Sequence, residues 1–240
     1  MRTESDPVEV SPEYGRVSVS DGTEANPMPE DNPASDKPPS DEIPMTPEYS
    51  THLFRDNDLL PLFRINPDTV GWLSMEGTRI DYPVVKGMDN EYYLANGFDK
   101  EPNVAGSIFM DSRNIGDGSD RHTLIYGHRM KDGSMFRDLE KYQDDAFYQS
   151  HRAFDLQTLH GTFRYRIFSA YVTDTDFPFI RTRFEDDEYQ IFLDQIQERN
   201  MHPADTEIKL TPQSRILTLA TCSRAFEDAR FVVHAVLLEE

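Results

Sequence analysis

The sequence has a single cysteine among 240 residues, which excludes an internal disulfide framework and a zinc site built from several thiolates. Basic residues are also scarce, because 24 Lys and Arg stand against 44 Asp and Glu, for a formal net charge of −20. So acidic a surface repels phosphate backbones, and no basic stripe compensates for it. The composition therefore argues against nucleic-acid binding.

Long apolar runs are missing as well. The longest run, from Phe231 to Leu238, has eight residues and is interrupted by His234. It falls far short of the ~18 apolar residues of a membrane-spanning helix. The first fifty residues contain no apolar stretch, so no secretory signal is expected there.

The N-terminal part differs sharply from the rest of the chain. Residues 1–50 hold 9 of the 16 prolines, together with 12 acidic and 3 basic residues. Such a segment cannot bury enough apolar surface to offset the entropy lost on ordering. We predict a disordered acidic Pro-rich tail or stalk over residues 1–45, followed by one folded domain over 46–240.

Within that domain, short strands outnumber helices. Thr46 and Pro47 open a predicted helix over 46–64, and apolar residues at helical spacing follow an acidic cluster in a second one over 185–200. Shorter helices are predicted over 136–142 and 145–153. The predicted strands are 70–75, 80–85, 106–110, 123–126, 163–171, 215–221 and 230–238. No repeating βαβ unit is present, so the pattern favours a mainly-β fold, a closed or nearly closed barrel with added helices.

The lone cysteine, Cys222, ends a strand and precedes a polar loop. A thiol there is either a small buried side chain or a nucleophile, and a nucleophile needs a nearby cation or imidazole to favour the thiolate. Arg230 begins the next strand, and a hairpin brings it beside Cys222. Its fork of N–H donors suits a carbonyl oxygen that becomes an oxyanion.

Seven histidines compete for the role of proton donor and acceptor. His128 lies just past an apolar strand, after Gly127, whereas His122 begins the same strand, and spacing alone does not decide between them. His234 is predicted to pack within the last strand. Surface positions are predicted for His52, His151, His160 and His202.

Metal and phosphate sites find little support in the sequence. It has no His-Glu-x-x-His motif, and the acidic loop 111–120 lacks the alternating ligands and terminal Glu of a calcium loop. No Gly-rich phosphate loop follows a strand. We predict no metal and no cofactor.

Three motifs occur in an order that is specific to one family. They are Thr-Leu-Ile-Tyr-Gly-His at 123–128, Leu-Thr-Leu-Ala-Thr-Cys at 217–222 and Arg-Phe-Val-Val-His-Ala at 230–235. In these motifs the sequence resembles the sortases, cysteine transpeptidases of Gram-positive cell surfaces. It is most similar to class B, which carries a helix between the sixth and seventh strands, here the predicted helix 185–200.

The resemblance implies an eight-stranded sortase barrel and a set of site residues. Cys222 would be the nucleophile, His128 the general acid and base, and Arg230 the group that binds the oxyanion or orients the substrate. Thr221 and Ser223, which flank the cysteine, are weaker candidates for substrate or oxyanion contacts. Substrate-pocket residues are expected near 98–104 and 173–183.

The implied reaction is acyl transfer through a thioester. The enzyme would cleave a Thr-Gly-like bond in the C-terminal sorting signal of a surface protein and pass that protein to an amine of a peptidoglycan precursor. The family implies a location on the extracellular face of the membrane of a Gram-positive bacterium. It also implies membrane anchoring, although this sequence has no transmembrane segment.

Three alternatives stay open at the level of sequence. A pilin-polymerising sortase or a cysteine hydrolase or peptidase would use the same Cys-His-Arg residues. A non-enzymatic β-barrel binding module would have Cys222 as a buried, inert side chain distant from His128.

Overall fold

Eight strands form the body of the protein, in a computed structural model that describes residues 59–202, 208–222 and 228–238. The strands are β1 (Thr69–Ser74), β2 (Asp81–Val85), β3 (Ile108–Met110), β4 (His122–Tyr126), β5 (Ala153–Thr158), β6 (Gly161–Thr173), β7 (Ile216–Cys222) and β8 (Arg230–Leu237). They close into one barrel in the order β1-β2-β3-β4-β7-β8-β6-β5. The predicted eight-stranded, mainly-β barrel is therefore confirmed.

The barrel is mixed in strand direction. Two neighbouring pairs, β2 with β3 and β4 with β7, are parallel, and the other six neighbouring pairs are antiparallel. A parallel pair needs a long crossover connection, because its two strands run the same way. Between β4 and β7 that connection contains β5, β6 and several helices.

The described residues also form helices before and between the strands. They are α1 (Leu60–Ile65), α2 (Tyr92–Ala95), a 3-10 helix (Phe136–Gln143), α3 (Asp145–Ser150) and α4 (Asp186–Glu198). The helix α4 lies between β6 and β7, as predicted. The helix α1 is the described end of the helix predicted over 46–64, whereas residues 46–58 and the predicted tail 1–45 lie outside the described residues. Among the helices that are described, none is long and apolar enough to cross a membrane.

One strand was not predicted from the sequence. The helix predicted over 145–153 ends at Ser150, and β5 begins at Ala153. Alternate residues of β5 are buried, beginning with Phe154, and the strand pairs with β1 on one side and β6 on the other. The period-2 pattern is therefore present in the sequence, but residues 154–158 were predicted to be neither helix nor strand.

The strands β7 and β8 bury both of their faces. Leu217 and Leu219 of β7 point into the barrel interior, whereas Ile216 and Ala220 belong to a second cluster on the outer face. That outer cluster is completed by the apolar side of α4, namely Tyr189, Phe192, Leu193 and Ile196. Burying each large apolar side chain contributes about 1.5–3 kcal/mol, so α4 holds the three strands on which the candidate site is built.

The sequence of α4 explains where that helix begins. Glu185 is its N-cap and accepts a hydrogen bond from the backbone N–H of Glu188, whose own side chain binds the N–H of Glu185. This reciprocal capping box satisfies two backbone donors that the first helical turn leaves unpaired. The following apolar residues then recur at helical spacing and face the barrel.

Candidate active site

Strand register brings the predicted catalytic positions to one end of the barrel. Cys222, the last residue of β7, is paired with Arg230, the first residue of β8. On the other side of β7, Tyr126 of β4 is paired with Ala220, and the N–H of Gly127 donates to the Ala220 carbonyl at 3.3 Å. His128 therefore follows β4 at the level of Cys222, and three adjacent strands present these residues at the same rim.

His128 is held in one orientation by a backbone carbonyl. Its Nε2 lies 2.7 Å from the carbonyl oxygen of Leu94 in α2. A carbonyl only accepts hydrogen bonds, so Nε2 carries the proton, and Nδ1 is the acceptor in the neutral ring. The ring is partly exposed at the rim. The acceptor is a backbone carbonyl, so no side-chain motif in the sequence could predict this contact.

Gly127 is required for packing. A Cβ at this position would lie 2.4 Å from Cδ1 of Ile108 and 2.8 Å from Cγ of Phe136. The backbone thus passes directly against two buried side chains just before His128. The φ of Gly127 is not positive, so close packing, and not a left-handed backbone, requires glycine at this position.

Arg230 is anchored by the chain just before it. Its Nη1 donates to the carbonyls of Asp228 at 3.0 Å and Ala229 at 3.1 Å. Among the described residues, none accepts a hydrogen bond from its Nε or Nη2. As far as the described residues go, these N–H groups can bind an incoming oxygen, as an oxyanion-binding guanidinium must.

Thr221 contributes a buried hydroxyl beside position 222. The residue is 3% exposed, and its Oγ1 makes no hydrogen bond to any residue that the structure describes. A buried polar atom without a partner costs about 1–3 kcal/mol, and such atoms concentrate where function needs them. Ser223, the other flanking candidate, lies outside the described residues.

A chain of hydrogen bonds crosses the outer face of the same strands below this rim. The carbonyl of Arg181 lies 2.6 Å from Nδ1 of His122, whose Nε2 lies 2.7 Å from Oγ1 of Thr218. The same Oγ1 lies 2.7 Å from Nδ1 of His234, and Nε2 of His234 lies 2.8 Å from the hydroxyl of Tyr171. Because the carbonyl only accepts, Nδ1 of His122 carries the proton, and its Nε2 accepts from the Thr218 hydroxyl. Oγ1 of Thr218 in turn accepts from Nδ1–H of His234, and the Tyr171 hydroxyl donates to Nε2 of His234.

Burial separates His122 from His128 as a candidate base. Desolvation lowers the pKa of His122 to about 4, and desolvation together with the neighbouring His122 lowers the pKa of His234 well below its ordinary value. Both rings are fully buried and neutral. The prediction that His234 packs within the sheet is confirmed, and His122 joins it in a structural role.

One surface prediction is wrong. His202 is only 7% exposed, because its ring stacks on Tyr148 with centroids 4.1 Å apart. Its Nε2 also contacts the carbonyl of Tyr142. These are contacts over more than fifty residues of sequence, so its polar neighbours along the chain gave no sign of them.

The acidic loop 111–120 uses its carboxylates internally. Asp111 is paired with Arg113, and Asp120 accepts the backbone N–H groups of Ile115 and Gly116. In the part of the chain that the structure describes, no cluster of His, Cys, Asp and Glu is arranged to hold a metal ion.

Two segments with exposed apolar side chains adjoin β4 and the residues next to it. One contains α2, whose Leu94 is 41% exposed, and the other is the connection 174–185 after β6, where Ile180 is 38% exposed. Exposed apolar side chains next to convergent polar groups suit the binding of an extended peptide. These segments overlap or adjoin the pocket regions predicted near 98–104 and 173–183.

Comparisons with known proteins assign the chain to a family. A family model described as the sortase domain matches residues 73–238. The chain is also 38% identical over 185 residues to sortase B of Listeria monocytogenes, a match that covers 76% of this chain and 74% of that protein. The chain belongs to the sortase family. Sortases are cysteine transpeptidases, so this sortase is an enzyme of that class.

Solved structures agree with the assignment. Sortase B of Clostridium perfringens superposes with a TM-score of 0.71 at 34% identity, covering 75% of this chain and 98% of that one. A Staphylococcus aureus sortase B–substrate complex gives a TM-score of 0.69 at 37% identity, covering 75% and 83% of the two chains. The likeness to class B stated from the sequence is thereby confirmed.

Proposed function

We propose that this sortase cleaves the C-terminal sorting signal of a surface protein through a thioester on Cys222 and transfers the protein to an amine of a peptidoglycan precursor. The observation that carries the proposal is the strand register, which sets positions 222, 230 and 128 at one rim of β4, β7 and β8. The existence of a sortase B–substrate complex from Staphylococcus aureus supports a peptide-like substrate.

In the first half-reaction, the Cys222 thiolate attacks the carbonyl carbon of a Thr-Gly-like bond. The oxygen gains negative charge, and the free N–H groups of Arg230 stabilise it. His128, which takes the proton of the Cys222 thiol onto Nδ1 when the thiolate forms, then passes that proton to the leaving amine, while Nε2–H stays bound to the Leu94 carbonyl. The C–N bond breaks, the thioester remains, and the peptide amine departs as a neutral group.

In the second half-reaction, an amine of the peptidoglycan precursor attacks the thioester. His128 accepts a proton from this nucleophile, the new C–N bond forms, and Cys222 leaves as thiolate. A thiol suits both halves because it is a strong nucleophile and a good leaving group. We propose Thr221 and Ser223 as supplementary donors near the oxyanion, Thr221 because its buried hydroxyl has no partner.

The proposed partners and location follow from the reaction. The substrates are surface proteins with a C-terminal sorting signal, and the enzyme acts on the extracellular face of the membrane of a Gram-positive bacterium. Anchoring of single proteins is favoured over pilin polymerisation by the class B likeness, which includes the helix α4 between β6 and β7.

The test is intact mass spectrometry of the protein incubated with a panel of sorting-signal peptides, with and without triglycine. We expect an acyl adduct on Cys222, the only cysteine, which triglycine converts to a ligated peptide. Cys222→Ala is the matched control and gains no mass. Release of free acid that triglycine does not divert would indicate a hydrolase, and no adduct combined with slow alkylation would indicate a structural thiol.

A further inference from the structure

Asp111 is a buried carboxylate that the reaction described above does not use. It follows β3 directly, is 0% exposed, and accepts hydrogen bonds from three separate segments of the chain. Five donors reach its two oxygens, from Arg113, Asn90 and Tyr126. All of them are N–H or O–H groups, so only the ionised carboxylate satisfies the set.

The first segment is the strand that leads to His128. The hydroxyl of Tyr126, two residues before His128, donates to Oδ2 of Asp111 at 2.8 Å. Burial raises the pKa of Tyr126 above its ordinary value, so the hydroxyl keeps its proton and remains a donor. This bond fixes the end of β4 at the point where the chain turns toward the rim.

The second segment contains the Leu94 carbonyl, which accepts the hydrogen bond from His128. Asn90 donates from Nδ2 to Oδ2 of Asp111 at 3.0 Å and accepts the backbone N–H of Ser112 at 2.8 Å. Asn90 immediately precedes the turn into α2, which carries the Leu94 carbonyl bound by His128. Asp111 therefore restrains both the backbone beside His128 and the helix that contains its hydrogen-bond acceptor.

The carboxylate reaches a third segment, the connection 174–185, indirectly, through Arg113 of its own loop. Arg113 forms a two-pronged ion pair with Asp111, from Nε at 2.8 Å and from Nη2 at 2.7 Å. The same Nη2 donates to the carbonyl of Ile180 at 2.9 Å. The carboxylate thus orients the guanidinium, and the guanidinium holds Ile180.

The charge of Asp111 is stable in this setting. Burial alone would raise the pKa of Asp111, but the hydrogen bonds and charge of Arg113, with the Tyr126 hydroxyl, hold it below its ordinary value. Removing one member of a buried, fully paired cluster leaves several donors without partners and is costly.

We propose that Asp111 is a positioning residue of this sortase, which orients His128 through Tyr126 and Asn90 and fixes the connection 174–185 through Arg113. The proposal rests on the proposed role of His128 in acyl transfer. A catalytic imidazole needs close placement, since a displacement of about 1 Å can reduce a rate ~10²-fold.

The first test is Asp111→Asn, which keeps the shape but turns an NH₂ toward groups that are all donors. We expect kcat for thioester formation to fall ~10²-fold. The ¹⁵N signals of the His128 ring, assigned by their loss in His128→Asn, should move from the Nε2–H tautomer toward a mixture. The matched control is Asp120→Asn, the same substitution in the same loop, where the carboxylate caps backbone N–H groups.

The second test, Tyr126→Phe, removes only the hydrogen bond from Tyr126 to Asp111. It remains informative even if the Asp111→Asn variant does not fold. It should lower kcat less than Asp111→Asn does and shift the His128 tautomer in the same direction. Tyr142→Phe is its control, because the buried Tyr142 hydroxyl donates to the His151 carbonyl, which belongs to none of the three segments held by Asp111.

Two results would overturn the proposal. One is a folded Tyr126→Phe enzyme with the wild-type kcat and the wild-type His128 tautomer. The other is an equal loss of kcat in Asp111→Asn and Asp120→Asn with the tautomer unchanged in both, which would leave Asp111 a purely structural role. If the wild-type protein acylates no peptide, the proposed function fails, while the tautomer measurement still decides whether Asp111 orients His128.

Discussion

The strand β4 places two histidines in opposite environments, one at its start and one just past its end. His122 is fully buried on the outer face of the barrel, with both ring nitrogens engaged by Arg181 and Thr218. His128 stands at the partly exposed rim, with one nitrogen bound to a carbonyl. Six residues apart in sequence, the same side chain is a structural connector in one place and a candidate proton carrier in the other. The two rings differ in how far each is removed from water and in how many of its nitrogens are held by hydrogen bonds to the described residues.

The largest effects are expected when the imidazole rings of His128 and His122 are removed in turn, which tests the contrast directly. His128→Ala should lower turnover by ~10²–10⁴ through loss of acid–base catalysis, toward the level of Cys222→Ala, with the melting temperature unchanged. His122→Gln should do the reverse and lower the melting temperature while the folded enzyme keeps most of its kcat. Steady-state kinetics and calorimetry on the three variants check this, and near-normal turnover in His128→Ala would refute its assigned role.

The next largest effect is expected at the guanidinium on the rim. Arg230→Ala should lower kcat ~10²–10³-fold, the usual loss for one oxyanion donor, and Arg230→Lys should recover only part of it because Lys lacks the planar fork. Arg164→Ala is the matched control, since Arg164 is an exposed strand residue paired with Asp155. Equal kinetics for Arg230→Ala and Arg164→Ala would exclude Arg230 from the site.

The buried histidines predict a loss of stability in acid. The pKa of His122 falls from 6.5 to about 4 on folding, so between these values the unfolded chain binds a proton that the folded protein does not. The free energy of unfolding should therefore decline as the pH drops from about 6.5 toward 4, by about 3 kcal/mol for His122 alone. Urea titrations across this range measure the slope. His122→Gln should flatten it and His160→Gln, at an exposed turn, should leave it unchanged.

The smallest effect concerns two threonines of β7. Thr221→Val removes a hydroxyl that has no partner among the described residues, so stability should be unchanged or rise by up to about 1 kcal/mol, while kcat falls if the hydroxyl assists the oxyanion. Thr218→Val removes the hydroxyl that joins His122 to His234 and should cost about 2 kcal/mol or more. Chemical denaturation of both variants makes the comparison, and equal stability losses would contradict it.

The positions on the rim were predictable because they lie in short local motifs that resemble those of the sortases, whereas spacing alone did not decide between His128 and His122. Cys222, Arg230 and His128 each lie at a strand end, and strand ends can be located from alternating or apolar runs. Their mutual placement then follows from barrel closure and the register of β4, β7 and β8.

What escaped prediction depends on contacts between distant parts of the chain. The Leu94 carbonyl is a backbone group and carries no sequence signal, and the partners of Asp111 lie in segments separated in sequence. The strand β5 is six residues long, so its alternation was too short to stand out in the sequence between the predicted helix 145–153 and the predicted strand 163–171. His202 is buried only because Tyr148 and Tyr142 reach it across the fold.

The parallel pairing of β4 with β7 has a consequence for how activity arises in time. Thr123 pairs with Leu217, far along the chain, and closing so long a loop is a slow, entropically costly event in folding. Local hairpins such as β7–β8 and β5–β6 form more readily than this contact. A refolding chain should accordingly recover its β-strand spectroscopic signal before Cys222 can be acylated. A nascent chain that ends at α4 contains β1 to β6 but lacks β7 and β8, which carry Cys222 and Arg230.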